Sequence, residues 1–146
     1  MKKLFLSAAL AVFTGLAVSA ETPDVNAQVL AAFKNQFPAA SETEWSTGSE
    51  YYKASFIYNN NYVNAYYSHE GEFLATIRNI SSVDLPVVSQ ASLKKEHSNF
   101  WVSELFELSK KDGTSYSVTL ENADEKIVLK SVNGSAWTIF KKTGKV

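Results

Sequence analysis

Cysteine is absent from all 146 residues. With it go disulfide staples, thiolate nucleophiles, cysteine zinc sites and any lipid attached to a cysteine behind a leader. Histidine occurs twice, as His69 and His97, which leaves almost no choice for a catalytic triad or a transition-metal site. Three prolines and six glycines give no low-complexity tract. Charge of either sign is not in excess, with fourteen basic against fifteen acidic residues. The lysines are scattered among Glu and Asp, which argues against a nucleic-acid partner, since phosphate backbones need a clustered basic surface. Only Lys141, Lys142 and Lys145 gather, and the simpler reading is a solvated terminus. No nucleophile elbow, glycine-rich phosphate loop or dinucleotide fingerprint is present, and the sequence calls for no cofactor.

What is there begins with a leader. Lys2 and Lys3 precede an apolar run from Leu4 to Val18, and Val18-Ser19-Ala20 places small residues at the minus-three and minus-one positions of a cleavage site. Ser7, Thr14 and Gly15 interrupt the run, so a cleaved signal peptide over 1-20 fits better than a permanent membrane anchor. Periplasmic or secreted localisation follows. Loss of Lys2 and Lys3 would leave the mature chain net acidic. The expected N-terminus is Glu21; intact mass of the exported protein checks it, and retention of Met1 to Ala20 would refute it. Without disulfides, the remaining chain of about 125 residues must be held by burial, which a domain of that size can manage.

Aromatic residues make up 13% of the sequence and fall into a pattern that occurs twice, about 60 residues apart: a helix, then a meander of tyrosine-bearing strands. Val25, Val29, Phe33 and Phe37 share one helical face, with Asp24 as N-cap and Pro38 as the stop. Strands are expected around Trp45, then at 51–58, 62–67 and 73–80, cut by Thr47-Gly48-Ser49, Asn59-Asn60-Asn61 and Glu70-Gly71. In the second pass Pro86 opens a helix whose apolar residues are Val88, Ala91 and Leu93. Strands at 101–109, 115–121, 126–132 and 136–141 follow. Residues 81–85 form a bend between packed units. The expected organisation is a first helix-plus-sheet repeat over 21-84 and a second over 85-146. The fold class is α+β, a tandem repeat of a helix on a bent antiparallel sheet of about four strands, the halves sharing one sheet and one core.

Period-two alternation assigns faces. Tyr52, Ala54, Phe56 and Tyr58, and later Tyr116, Val118 and Leu120, should meet the helices. The opposite face then carries Lys53, Ser55, Ile57, Tyr62, Tyr66, Ser117 and Thr119, the candidate partner-binding set. A partly polar, tyrosine-bearing open sheet has the composition of a protein-binding surface, because tyrosine offers large contact area at small entropic cost. Tyrosine is also an ordinary strand residue, so no single one of them is diagnostic.

Phe33-x-x-x-Phe37-Pro38-x-Ala40, Trp45, Tyr52-x-Ala54-x-Phe56, Ala65-x-Tyr67, Gly71, Leu85-Pro86 and Asp112-Gly113-x-x-Tyr116-x-Val118 run through nearly the whole mature chain. Together they resemble the PepSY-like periplasmic proteins common in Bacteroidetes, also described as beta-lactamase-inhibitor-protein-like. The resemblance implies tandem helix-on-sheet units in a bacterial envelope setting, and by analogy an inhibitory form of binding. His97-Ser98 departs from the aromatic-proline pair that the pattern has at the end of the second helix.

Catalytic readings find little support. His97 matches core-facing Phe37 and sits where a helix dipole favours histidine. His69 lies in a hairpin with no second ligand at metal spacing, and 121–125 lacks the alternation and glycine of a calcium loop. The leading expectation is an exported, non-enzymatic envelope protein that binds a protein or peptide through the open sheet face. A small-ligand or lipid carrier, with a groove near Trp45, Tyr67 or Trp137, is the alternative. A small hydrolase comes third and requires two ionisable side chains meeting in a concavity.

Overall fold

Pro38 ends one helix and Pro86 opens another, and the strands that follow each helix join into a single sheet. The computed structural model describes residues 23–146; the leader and the expected cleavage site lie outside them. Helix α1 (Ala27–Gln36) leads to β1 (Ser41–Thr47), β2 (Tyr52–Tyr58), β3 (Asn61–Tyr67) and β4 (Phe73–Asn79). A 3-10 turn, Ser82–Asp84, then precedes α2 (Val87–Glu96), β5 (Trp101–Lys110), β6 (Gly113–Glu121), β7 (Glu125–Val132) and β8 (Thr138–Gly144). The eight strands are antiparallel neighbours in chain order, so the sheet is an unclosed meander with α2 inserted between β4 and β5. The α+β class and the two helix-plus-four-strand halves on one sheet are therefore as expected.

Short connections set the registers. Asn59 and Asn60 both take positive φ, 49° and 63°, which makes the two-residue turn that matches strand twist and pairs Tyr58 with Asn61. Gly71, at φ 89°, lies close enough to the Gln28 backbone that a side chain would crowd α1. Asn26 ties that helix down twice: its Oδ1 accepts from the Val29 amide and its Nδ2 donates to the His69 carbonyl. The cap is thus Asn26 and not Asp24, and α1 starts two residues later than the spacing of Val25 indicates. Val25 still packs on the core from the extended segment before the helix.

The core has two lobes rather than the single one expected. In the first, Val29 and Phe33 of α1 meet Tyr52, Ala54, Phe56, Val63, Ala65 and Tyr67. Alanine at 54 and 65 lets the helix approach while the aromatics fill the flanks. Phe33 is the hub, with ring centroids 5.8 Å from Phe37, 5.2 Å from Trp45, 5.0 Å from Phe56 and 6.4 Å from Tyr67. The second lobe gathers Leu85, Leu93, Leu105, Val118, Leu120, Ile127 and Leu129, with Tyr116 and Trp137 at its edge. The period-two faces of β2 and β6 are the observed ones.

Helix α2 corrects the sequence reading. Val88 and Ala91 point to solvent, and the inward residues are Leu85, Ser89 and Leu93. These stand where the first repeat has Val25, Val29 and Phe33, with half-buried His97 in the place of Phe37. The helical stripe is conventional; two of its four positions have become polar, which hides it. The Ser89 hydroxyl is buried without a hydrogen-bond partner, although the Ser89 carbonyl accepts from Trp137 Nε1 at 3.1 Å. Ser89→Val, the first repeat's own residue, is expected to stabilise the protein by about 1 kcal/mol in urea unfolding, because an unsatisfied hydroxyl is removed. A destabilised variant would show that the site has no room for the second methyl.

The C-terminal lysines are also not a loose tail. Strand β8 runs from Thr138 to Gly144, later than the 136–141 expected. Lys142 Nζ lies 2.8 Å from Glu125, and Lys145 Nζ lies 3.0 Å from Glu121 while also donating to the Asn122 carbonyl. No helix among the described residues is long and apolar enough to cross a membrane.

Candidate functional site: the uncovered sheet face

Both helices pack on one face of the sheet, and strand register shows what they leave uncovered. Lys53 pairs with Tyr66, Ser55 with Asn64 and Ile57 with Tyr62, while Ser117 pairs with Phe106 and Lys130, and Thr119 with Glu104 and Val128. All seven candidates thus share the face opposite the helices. They do not form one patch: five lie on β2 and β3, two on β6, with β4 and β5 between.

Their exposure differs from the open surface expected. Ser55 and Thr119 are only 7% and 5% exposed. Each is a short side chain on an inner strand, overhung by longer cross-strand neighbours. Ser55 donates to Asn64 Oδ1 at 2.7 Å and Thr119 to Glu104 Oε2 at 3.3 Å, so both hydroxyls are already occupied. Tyr62 stands well out at 59% exposure, and Tyr66 is half-buried beside Tyr51, their centroids 5.4 Å apart. Burial and the neighbouring Tyr51 push the Tyr66 phenol above its ordinary range.

The same face carries residues that sequence reasoning did not single out. Ile77 of β4 and Phe106 and Leu108 of β5 follow from the register, since Ile77 pairs with both Asn64 and Leu108. Val132 and Lys130 flank β6 on its other side. With Ser115 and Ser117 they enclose a depression of about 310 Å³. At the outer strand, Lys130 Nζ sits 3.6 Å above the ring of Phe140, itself the extra residue of a bulge in β8. Trp101 is exposed at the far end of β5, with Lys145 Nζ 5.1 Å from its ring. The hydrogen bond from Lys145 holds the Glu121 carboxyl below the usual carboxylate range.

The helix side has features of its own. Arg78 Nε and Nη2 donate to the two Glu107 oxygens at 2.7 and 3.2 Å across the β4–β5 seam. This bond raises the Arg78 pKa further. The pair lines a cleft of about 430 Å³ that also touches Gln36, Tyr58 and Ser109. Two ionisable groups therefore do meet in a concavity, but each neutralises the other, and an arginine is not a proton donor near neutral pH. The His69 ring lies tilted 4.8 Å from that of Tyr52, and His97 meets Phe100 edge-to-face at 6.0 Å. Among the described residues no three His, Asp or Glu side chains converge on a metal position. Beside each helix runs a groove in the same place, about 570 Å³ along Leu30, Phe33 and Trp45 and about 360 Å³ along Gln90, Leu93 and Phe100. Trp45 therefore lines a groove as expected for a carrier, whereas Tyr67 is buried in the core and Trp137 is spent on the Ser89 carbonyl.

No protein-family model matches the chain, and no curated protein does. Solved structures do match. A DUF2874 family protein from Bacteroides ovatus superposes with a TM-score of 0.72 at 20% identity, covering 84% of this chain and 89% of that one. A DUF2874 family protein from Bacteroides uniformis gives 0.70 at 18%, over 82% of this chain and 88% of that one. A BLIP-like protein from Bacteroides fragilis gives 0.69 at 19%, over 82% of this chain and 85% of that one. This chain accordingly has the fold of the BLIP-like and DUF2874 structures of Bacteroides.

Proposed function

We propose that this protein is an exported binding protein of the bacterial envelope, periplasmic or secreted, that holds a protein or peptide on the uncovered face of its sheet. We take 21-84 and 85-146 as the two repeats of that module. One observation carries the reading: eight strands present a continuous face that neither helix covers, and that face exposes Tyr62, Trp101, Phe106 and Phe140 among its charged residues, the mixed aromatic and polar make-up of a protein-binding surface. The leader sequence supports export. Likeness to a BLIP-like protein supports inhibition as the form that binding takes.

The protein from Glu21 onward, immobilised and exposed to envelope extract, is expected to retain a protein partner. Lys53→Glu and Tyr62→Ala are expected to release it with unchanged far-ultraviolet circular dichroism and melting. Ser55 and Thr119 are unsuitable for that test because they are buried. Release by Lys94→Glu on α2, with Lys53→Glu silent, would move the site to the helix side and sink the proposal. The paired grooves beside the helices favour one second reading, carriage of a small apolar ligand. Native mass spectrometry of protein isolated from its own cells would then show a bound mass that Leu30→Glu abolishes.

A further inference from the structure

The open faces of the two repeats differ most along their second strands. On β2 the residues facing out are Lys53, Ser55 and Ile57; on β6 they are Ser115, Ser117 and Thr119. Three short hydroxyl side chains in succession leave a trough, because both neighbouring strands carry long ones. Leu108 and Phe106 stand on one bank, directly opposite Ser115 and Ser117, and Val132 and Lys130 stand on the other. Ile77, beside Leu108 on β4, backs the first bank, and the depression of about 310 Å³ has room for one large side chain. Its walls are apolar carbons; its floor is serine.

Charge at the trough is unbalanced. Of the carboxylates on this face of the second repeat, Glu104 accepts from Thr119, and Glu121 is engaged by Lys126 and Lys145. Lys130 and Lys141, which faces the same way from its pairing with Val128, have no carboxylate within 4.0 Å among the described residues. Lys130 rests instead on the Phe140 ring, which fixes its ammonium over the bank. One ammonium group without a counter-charge on the rim of an apolar slot, with Lys141 a second one strand further out, matches an anionic occupant on a chain that is acidic overall.

Resting on the reading that the open face binds a protein, we propose that the β6 trough is its anchor and takes one large apolar side chain of the partner, with an adjacent partner carboxylate on Lys130. The partner segment is thus acidic and carries an aromatic or a long aliphatic residue. The trough anchors the partner, and Lys53 and Tyr62 of the first repeat extend the same contact, so that their replacement also weakens it.

Three capped peptides test this against nitrogen-15-labelled protein: acetyl-Glu-Phe-Glu-amide, acetyl-Glu-Gly-Glu-amide and acetyl-Lys-Phe-Lys-amide. The first is expected to shift the amides of Phe106, Leu108, Ser115 and Ser117 saturably in the millimolar range. The glycine peptide should bind about tenfold more weakly, as the loss of one buried aromatic side chain predicts. Lys130→Glu should transfer preference to the lysine peptide. Equal binding of the acidic and basic peptides would overturn the charge assignment. Shifts centred on Tyr51, Tyr62 and Tyr66 would overturn the anchor and leave the open-face reading standing. Shifts confined to the helix side would overturn both. No shift at all would remove the trough as an anchor, with the open-face reading then judged separately by partner release with Lys53→Glu and Tyr62→Ala.

Discussion

Phe33→Ala is expected to destabilise the protein by about 4 kcal/mol, the upper range for a buried aromatic truncated in a core. The ring lies against four other aromatic rings, from the C-cap of α1 and from β1, β2 and β3, so its removal opens a void that no single neighbour can fill. The equivalent change in the second repeat, Leu93→Ala, removes fewer atoms from an aliphatic lobe and is expected to cost about 3 kcal/mol. Urea unfolding followed by fluorescence in single-tryptophan variants that keep either Trp45 or Trp137, with Trp101 replaced by Phe in both, separates the two. Trp45 lies against Phe33 and Trp137 borders the second lobe, so each lobe has its own reporter. Coincident transitions at both reporters would mean that the shared sheet couples the lobes. If Phe33→Ala cost about 1 kcal/mol or less, the aromatic hub would not be the organising contact of the first repeat.

The duplication is easy to see in the first repeat and hard to see in the second, for a reason that lies in four residues. Val25, Val29, Phe33 and Phe37 give an unbroken apolar stripe. Leu85, Ser89, Leu93 and His97 occupy the same positions, but only two of them are apolar, and the neighbouring Val87 and Val88 draw attention to the wrong side. Ser89 keeps its inward position although its hydroxyl is unpaired, while its carbonyl accepts from Trp137 Nε1, 48 positions away, a contact that periodicity does not register.

Faces were legible where one side of a strand is apolar and the other is not, as on β2 and β6. They were illegible on β5, where Leu105 enters the core while Phe106 and Leu108 occupy the open face, so alternation gives no contrast. Only the pairing of Ile77 with Leu108 and of Phe106 with Ser117 resolves it. The same gap explains why strand composition points to Ser117 on the floor of the trough but not to Ile77, Phe106, Leu108 and Val132 around it. A depression is made by short side chains between long ones on three adjacent strands, a property of register that no single strand contains. Ser55 and Thr119 failed as exposed contacts through that same crowding.

Tyr67 carries the second large effect. It is fully buried, its hydroxyl donates to Gln36 Oε1 at 2.9 Å, and burial pushes its phenol well above the ordinary tyrosine range. In the unfolded chain the same phenol ionises near pH 10, as in model peptides. Between those two values the unfolded state has lost a proton that the folded state keeps, so stability falls as pH rises. Below the unfolded value both states hold the proton and the contribution is flat. Tyr67 alone should therefore remove about 2 kcal/mol of stability between pH 8 and pH 11.5. Tyr66 and Tyr116, both shifted in the same direction by burial, add to the loss, so the wild-type curve by itself does not isolate Tyr67. Tyr67→Phe does. The variant loses one hydrogen bond, about 1 kcal/mol at neutral pH, and should then be the more stable protein at pH 11.5, with a shallower alkaline slope. Urea midpoints of the two proteins at both pH values measure the crossing. Parallel curves would mean that Tyr67 ionises as readily folded as unfolded, and that water reaches its hydroxyl beside Gln36.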